Sequence, residues 1–442
     1  MSTETIPQCL SLKAGEPVEV RSREEILSTL DQNGCLDNLP FMPEMFAFCG
    51  QQLRVYKRAH KTCDTITYSG SQRIANAVHL EGIRCNGQAH GGCQAECLIF
   101  WKEAWMKRTG GVPVAGRSAS PGHGAVVSVP NSPGCTEADV VAKACKIDGN
   151  STSDPVYSCQ ATQMLHAGPP LAWWDLRQYW EDYMSGNFKL KWMLGVMCYA
   201  TFNVLMNLRR GRIQSVLNQL YDAVQKARGR PCHPRAGGRV PDGTRTPVAK
   251  LNLQPGEMVR VKSFEAVRDT MNSKCRNRGL SWDAELVPYC GGEFRVHARV
   301  KRVIDERTGK MLSLKSEPLI LEGVFCQARY SEHRYFCPRS TYTFWSETWL
   351  ERIGQETPET PTVKAEANPP EKPMRDVVCL ACHRKFSLHM TITDHEKRNA
   401  KCPKCGSKNL RWIHTTRNSG CFEASPVIPP VPENAGMEPA SK

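Results

Sequence analysis

The chain has 442 residues, 40% of them hydrophobic and 23% charged, so it is too long for one ordinary domain and has the composition of a globular protein. Its formal net charge of +14 favours contact with nucleic acid or another polyanion, although basic residues spread over every face would give the same figure. Its N-terminal residues lack a basic stretch followed by an apolar one, which predicts a cytoplasmic protein. In a reducing compartment, the clustering among its 21 cysteines is better explained by metal ligands than by disulfides.

An internal repeat organises most of the chain. Residues 10–22 recur as residues 251–263, and residues 49–55 recur as residues 290–296, both at an offset of 241 positions. After a three-residue insertion in the second copy, Trp101 matches Trp345 at an offset of 244 positions. The repeat defines copy one, residues 1–109, and copy two, residues 249–354.

Each copy begins with a predicted Gly-Glu-x-Val-x-Val strand, which a short charged helix follows at 22–30 and at 263–271. Alternating apolar and basic residues predict a half-buried strand at 53–58 and at 294–303. This order predicts a small, strongly bent, SH3-like β-barrel for each copy within an α+β multidomain fold. The strand pattern resembles the small barrels of KOW-like and nitrile-hydratase accessory proteins, and the resemblance implies an architecture rather than an activity.

Copy one carries a dense cluster of ligand-type residues, namely Cys63, Cys85, His90, Cys93 and Cys97. Four of them fall within thirteen residues on a Gly-rich loop, which is typical of zinc or iron–sulfur binding. The alternative is a group of buried free cysteines that pack as small hydrophobic side chains. Thiolates suit Zn²⁺ and a four-iron cluster alike, so both metals stay open at this stage.

Copy two retains only part of this cluster. The residues opposite Cys63 and Cys97 are Ile304 and Thr341, so the two copies cannot share one four-cysteine site. If copy two binds a metal, its candidate ligands are Cys290, Cys326, His333 and Cys337. We favour the other arrangement, in which copy one alone binds metal through its four cysteines and His90 is an outer ligand or redox tuner.

The region between the copies is predicted to contain a Gly/Ser/Pro-rich linker at 110–171, a helical unit at 172–228 and a second linker at 229–248. Within the helical unit, the apolar run at 192–206 is shorter than the roughly 20 residues that a membrane span needs. The run therefore predicts a buried or amphipathic helix and no stable membrane span.

The C-terminal region is predicted to begin with a disordered Pro/Glu/Thr-rich linker at 355–374. Residues 375–415 then contain two Cys-x-x-Cys pairs, Cys379 with Cys382 and Cys402 with Cys405. Two such pairs on tight turns hold Zn²⁺ in a closed four-thiolate site, which predicts a structural zinc ribbon. Cys-His-Arg-Lys-Phe after the first pair and Cys-Pro-Lys-Cys-Gly at the second resemble the FmdB-type zinc ribbons of small bacterial regulatory proteins. This segment is basic, which suits nucleic acid, and residues 416–442 are predicted to form a disordered tail.

Familiar catalytic and nucleotide-binding motifs are absent from the sequence, which leaves open whether the protein is an enzyme. Three carboxylates recur in both copies, and such residues are more often caps or ion-pair partners than general bases: Glu44 with Glu285, Asp64 with Asp305, and Glu103 with Glu347. The sequence favours a metal-binding adaptor or regulator that engages nucleic acid or a protein complex through its ribbon. The alternative is a bacterial biosynthetic or redox accessory enzyme with a metal or iron–sulfur centre in copy one.

Overall fold

The structure is a computed structural model, and its chain divides into two compact units, residues 1–355 and 356–442, which are described separately. The residues that it describes are 9–109, 134–146, 154–208, 212–228, 233–353, 374–379, 381–382, 385–389, 404–405 and 410–412. Unit one contains both copies of the repeat and the helical region between them, and unit two contains the predicted ribbon.

Copy one is built around a five-stranded antiparallel sheet. Its elements are β1 (Pro17–Val20), α1 (Arg23–Leu27), β2 (Cys35–Leu36), β3 (Leu39–Pro40), β4 (Gln52–Arg58), β5 (Lys61–Cys63), β6 (Ser71–Arg73), β7 (Ala77–Arg84), β8 (Leu98–Lys102) and β9 (Met106–Arg108). The sheet order is β8-β7-β4-β1-β9. Strand β1 forms because Val18 and Val20 alternate with polar residues and bury their side chains, and α1 begins at a capping box between Ser22 and Glu25.

The segment after copy one contains ordered elements where the sequence predicted a linker at 110–171. They are α2 (Glu137–Ala144), β10 (Cys145–Lys146), β11 (Val156–Tyr157), α3 (Gln160–Gln163) and β12 (Pro170–Leu171), which pairs with β6. Val140 and Met164 belong to the core of copy one, so these parts of the segment are packed rather than loose. The prediction missed them because each element is short and the surrounding Gly, Ser and Pro residues dominate the composition; residues 110–133 and 147–153 lie outside the described residues.

The helical region packs against both copies. It consists of α4 (Arg177–Met184), α5 (Leu190–Leu208) and α6 (Arg212–Ala227). Asp182 of α4 pairs with the buried Lys61 of copy one at 2.7 Å, while Met193 and Val196 of α5 pack against Phe336 of copy two. The second predicted linker also contacts copy two, since the Arg239 amide donates to the Arg268 carbonyl at 2.9 Å.

Copy two repeats most of the strand pairing of copy one, but its main sheet has four strands instead of five. Its elements are β13 (Met258–Val261), α7 (Phe264–Arg268), β14 (Arg276–Asn277), β15 (Leu280–Ser281), β16 (Glu293–Arg299), β17 (Arg302–Ile304), β18 (Met311–Ser313), β19 (Leu319–Leu321) and β20 (Leu350–Arg352). Pro17 of β1 pairs with Arg54, and at the same offset Met258 of β13 pairs with Arg295. The matching register supports the duplication, while the SH3-like barrel itself stays a prediction.

The two copies contact each other through equivalent positions. Thr65 donates to Glu306, its counterpart at an offset of 241, and the Arg84 guanidinium lies 4.6 Å from the ring centroid of its counterpart Phe325. Contacts between equivalent residues are the mark of a two-fold interface. The duplicated chain therefore forms an internal pseudo-dimer.

Unit two contains a three-stranded antiparallel sheet of order β22-β21-β23. Its strands are β21 (Met374–Cys379), β22 (Lys385–His389) and β23 (Leu410–Trp412). Val378 of β21 pairs with Lys385 of β22, and Cys379 pairs with Leu410 of β23. The end of β21 therefore lies beside the start of both neighbouring strands.

In the part of the chain that the structure describes, no helix has the length and the apolar character that crossing a membrane requires.

Two buried histidines should make unit one acid-sensitive. Burial lowers the pKa of His60 to about 2 and that of His79 to about 3. Because these values lie below the ordinary one of 6.5, the unfolded chain binds more protons than the folded chain at pH 3–6.5, and stability falls as the pH falls through that window. We expect a loss of up to about 1.4 kcal/mol per pH unit for each histidine. Urea unfolding at pH 7, 6 and 5 measures this, and a pH slope that His79→Gln leaves unchanged would contradict it.

Candidate metal centre

Glu44, Cys85 and His90 of copy one come together in the interior of unit one. Their potential ligand atoms all lie within 4.8 Å of one another. The Cys85 thiol donates to Glu44 Oε1 at 2.9 Å, and His90 Nδ1 lies 3.4 Å from the same oxygen. Glu44 Oε2 and His90 Nδ1 are buried without a hydrogen-bond partner. Buried polar atoms without partners are costly, and here they belong to two residues of a ligand-type group.

Backbone turns position the three side chains. Glu44 lies on the 3₁₀ turn Pro43–Phe48, Cys85 directly follows β7, and His90 ends the 3₁₀ turn Gln88–His90. Gly87 precedes that last turn in the left-handed conformation, and a Cβ atom on it would lie 2.0 Å from the Cys93 carbonyl oxygen. Glycine is required at position 87 for a steric reason, because the loop backbone folds back onto Cys93 and leaves no space for a side chain.

The electrostatics of the group favour a charged carboxylate beside a protonated thiol. Burial raises the pKa of Glu44, but the neighbouring His90 ring and Cys85 thiol outweigh it, and the pKa is lowered overall. Burial and the Glu44 charge raise the pKa of the Cys85 thiol well above its usual range. In the metal-free protein the proton therefore stays on Cys85, and a cation that replaced it would be held by two negative ligands.

The donor set fits a borderline transition metal. Thiolate, imidazole and carboxylate are all ligands of Zn²⁺, and three such protein ligands are typical of zinc sites that keep one position open. His90 Nε2 lies 3.2 Å from the Ser158 carbonyl oxygen, so its proton can stay there and leave Nδ1 as the ligand atom. Cys85, His90 and Glu44 thus supply the ligand atoms. The Ser158 carbonyl supplies an outer contact that orients the His90 ring.

A small cavity of about 40 Å³ adjoins the group. Its walls include Cys93 and Cys97 of copy one, Cys159 of the segment after copy one, and Arg339 of copy two. Burial raises the pKa of Cys97, and it raises that of Cys159 to about 12. The space has room for a few water molecules or a small ion.

The other cysteines predicted for copy one make different contacts. Among the described residues, no second group of three or more ligand atoms falls within 4.8 Å, so the predicted set of Cys63, Cys85, Cys93 and Cys97 is not gathered around one point. Cys93 Sγ accepts the Ile304 amide at 3.4 Å, and Cys337 Sγ accepts the Cys63 amide at 3.2 Å. These are equivalent contacts across the pseudo-two-fold interface, so the two sulfurs help to join the copies.

Cys63 and Cys337 are in direct contact across that interface as free thiols. Their mutual hydrogen bond lowers the pKa of Cys337 and raises that of Cys63. Cys63 and Cys337 thus contact each other at the interface between the copies, and they lie outside the group formed by Glu44, Cys85 and His90.

Copy two lacks the corresponding group. Glu285, the counterpart of Glu44, accepts hydrogen bonds from the backbone amides of Tyr330 and Ser331, and burial raises its pKa. The candidate ligand His333 instead stacks on Trp173, with ring centroids 5.0 Å apart. Among the described residues, Cys290, Cys326, His333 and Cys337 do not converge on one point. The backbone amides of Tyr330 and Ser331 both donate to Glu285 Oε1, the oxygen that corresponds to the one the Cys85 thiol contacts in Glu44.

The spacing of cysteine and histidine residues does not predict Glu44 as a ligand, because Glu44 lies outside that cluster in sequence. Glu44 recurs as Glu285, yet recurrence alone does not distinguish a ligand from a cap. The useful signal would have been a carboxylate that is repeated beside a repeated cysteine, since Cys85 also recurs as Cys326.

Three of the four predicted ribbon cysteines are among the described residues of unit two. Cys379 ends β21, Cys382 lies in the turn region that leads to β22, and Cys405 lies in a turn ahead of β23. The fourth predicted ligand, Cys402, lies outside the described residues.

Comparison with known proteins identifies no relative. No protein-family model, no curated protein and no solved structure matches the chain.

Proposed function

We propose that this protein is a zinc-binding adaptor or regulator of the cytoplasm that engages nucleic acid or a protein complex. The observation that carries the proposal is the convergence of Glu44, Cys85 and His90, with unpartnered ligand atoms on two of them. Zinc is the metal we propose, because a mixed thiolate, imidazole and carboxylate set is less suited to an iron–sulfur cluster, which uses thiolates.

In this site Glu44 and His90 Nδ1 would bind the ion directly, and Cys85 would bind it as a thiolate. The bound ion would supply positive charge that holds the Gly-rich loop against the turn of Glu44. Cys85 loses its proton when a metal binds, so metal affinity should rise with pH.

A second zinc in unit two is part of the same proposal. It is supported by the spacing of the two Cys-x-x-Cys pairs, and by the position of Cys379 at the end of β21 with Cys382 in the turn that follows. Lys385, Lys404 and Arg411 add positive charge in this unit, which suits contact with phosphate groups.

Elemental analysis of the purified full-length protein tests both sites. We expect about two zinc ions per chain, since each of the two proposed sites binds one. Cys85→Ser should remove one ion and Cys382→Ser the other. Cys326→Ser is the matched control, because it changes the copy-two counterpart of Cys85 and should leave the zinc content unchanged. Wild-type protein without zinc, or equal losses in Cys85→Ser and Cys326→Ser, would contradict the proposal.

The alternative function is a metal-dependent accessory enzyme. It is favoured by one observation, the cavity of about 40 Å³ beside a group with only three protein ligands. An open position would let an added anion bind the metal. Cobalt-substituted protein distinguishes the two functions: azide should change the visible spectrum of an open site and leave that of a closed, structural site unchanged. Iron and sulfide in anaerobically purified protein would instead favour a redox centre.

A further inference from the structure

A groove in unit one, which we call the aromatic groove, lies where copy one, the helical region and copy two meet. Its volume is about 400 Å³. The lining residues that matter here are Tyr56, Lys57, Phe188, Lys189, Trp192 and Phe325. This size matches the clefts that hold small organic ligands, and it is far larger than the cavity beside Glu44.

The groove combines aromatic rings with cationic side chains. The Phe188 and Trp192 rings stack at 4.8 Å with an interplanar angle of 9°. Lys57 Nζ lies 4.7 Å from the Phe188 ring centroid and 4.9 Å from that of Tyr56. Half-buried rings interleaved with ammonium groups are the combination that binds bases and backbone in single-stranded nucleic acid.

The charge of the groove is one-sided. No aspartate or glutamate is found among the described residues that line it. Lys57 Nζ donates to the neutral Ser340 hydroxyl at 3.2 Å, and Lys189 is exposed just before α5. Both ammonium charges thus face the groove without a carboxylate in its wall, which favours an anionic ligand.

A second, larger groove of about 600 Å³ in copy two shows the contrast. Glu317 and Glu347 line it together with Lys250, Arg278, Arg299 and Lys315, and none of the described residues in its wall is aromatic. That groove therefore has no aromatic surface for stacking, and its wall carries charges of both signs. Of the two grooves, only the aromatic groove combines aromatic rings with positive charge alone.

We propose that the aromatic groove binds unpaired bases of single-stranded nucleic acid, with the adjoining phosphates near Lys57 and Lys189. This deepens the proposed function and rests on its nucleic-acid partner, but it requires no contribution from unit two or from the metal. Stacking accepts any base, so the groove should bind single strands with little sequence preference.

Fluorescence anisotropy of a labelled twenty-nucleotide oligothymidylate with the full-length, zinc-loaded protein tests the inference. Lys189→Glu should weaken binding about tenfold, since it reverses a charge at the groove, and Lys191→Glu only about twofold, since it acts at long range. Lys191 is the matched control because it is also exposed, lies two residues further on and does not line the groove. Both substitutions change the same charge near the start of α5.

The stacking part is tested at Trp192. Trp192→Leu should weaken binding about tenfold, whereas Trp192→Phe should retain most of it because the ring is kept. Circular dichroism melting of each variant reports whether it is folded. If Trp192→Leu does not fold, the lysine pair still tests the groove, because Lys189 and Lys191 are both exposed.

Three outcomes would overturn the inference. One is an equal loss in Lys189→Glu and Lys191→Glu, which would indicate general surface charge. Another is equal binding of heparin, a polyanion without bases. The third is binding that Cys382→Ser abolishes and Lys189→Glu leaves intact, in which case unit two binds nucleic acid, the proposed function stands and the groove does not take part. Zinc content measured on the same samples reports separately on the metal sites.

Discussion

Replacement of Glu103 by alanine should lower the free energy of unfolding by about 3–5 kcal/mol, the usual cost of breaking a buried, hydrogen-bonded ion pair. The Glu103 carboxylate is fully buried and pairs with the Arg58 guanidinium at 2.7 Å. It also accepts the backbone amides of Leu10, Ser11 and Leu12 at 2.6, 2.9 and 3.0 Å. Alanine would leave a largely buried cation and three amides without this partner. Urea unfolding followed by tryptophan fluorescence measures the loss.

Copy two provides the matched control. Glu347 makes the same contacts, with the Arg299 guanidinium at 2.5 Å and with the amides of three residues that match those in copy one: Leu251, Asn252 and Leu253. Its side chain is 12% exposed, whereas that of Glu103 is 0% exposed. Glu347→Ala should therefore cost less, because water can reach some of the groups that it leaves. A larger loss in Glu347→Ala than in Glu103→Ala would contradict this explanation.

These two carboxylates show what the repeat in the sequence could reveal. Their recurrence was visible, and the interpretation as ion-pair partners agrees with the contacts to Arg58 and Arg299. Recurrence works as a guide here because both copies must satisfy the same backbone amides at the same turn. Side chains that serve a repeated backbone shape are repeated with it.

Contacts that cross between the copies could not be predicted in the same way. Cys63 and Cys337 are far apart in sequence, and so are their counterparts Ile304 and Cys93, yet in both pairs a backbone amide donates to a cysteine sulfur of the other copy. Spacing along the chain therefore grouped Cys63 and Cys93 with the metal ligands, although each interacts with the other copy. Only the pairing of the two copies reveals that role.

The metal group itself was predictable in part. Cys85 and His90 were named from their spacing on a Gly-rich loop, and the structure brings them together with Glu44. Glu44 is 41 positions from Cys85, so no local spacing rule could have joined them. In copy two the corresponding loop is three residues longer, and two of its backbone amides donate hydrogen bonds to Glu285.

The loop that holds this group is the most sensitive point of the site. Gly87→Ala should lower the free energy of unfolding by about 3 kcal/mol or more and remove the zinc bound at Glu44, Cys85 and His90. The first part of the cost, about 1–2 kcal/mol, comes from forcing alanine into a left-handed backbone conformation. The second part comes from a Cβ atom that would lie 2.0 Å from the Cys93 carbonyl oxygen, which the backbone can relieve only by moving the loop.

Gly82→Ala separates the conformational cost from the steric cost. Gly82 has nearly the same left-handed φ, +71° against +69° for Gly87, but a Cβ atom on it would meet nothing within 4 Å. It should therefore lose only the conformational part, about 1–2 kcal/mol, and keep its zinc. Chemical denaturation and elemental analysis of both variants measure the difference. Equal losses of stability, with zinc retained in both, would mean that the close approach of Gly87 to Cys93 does not shape the metal site.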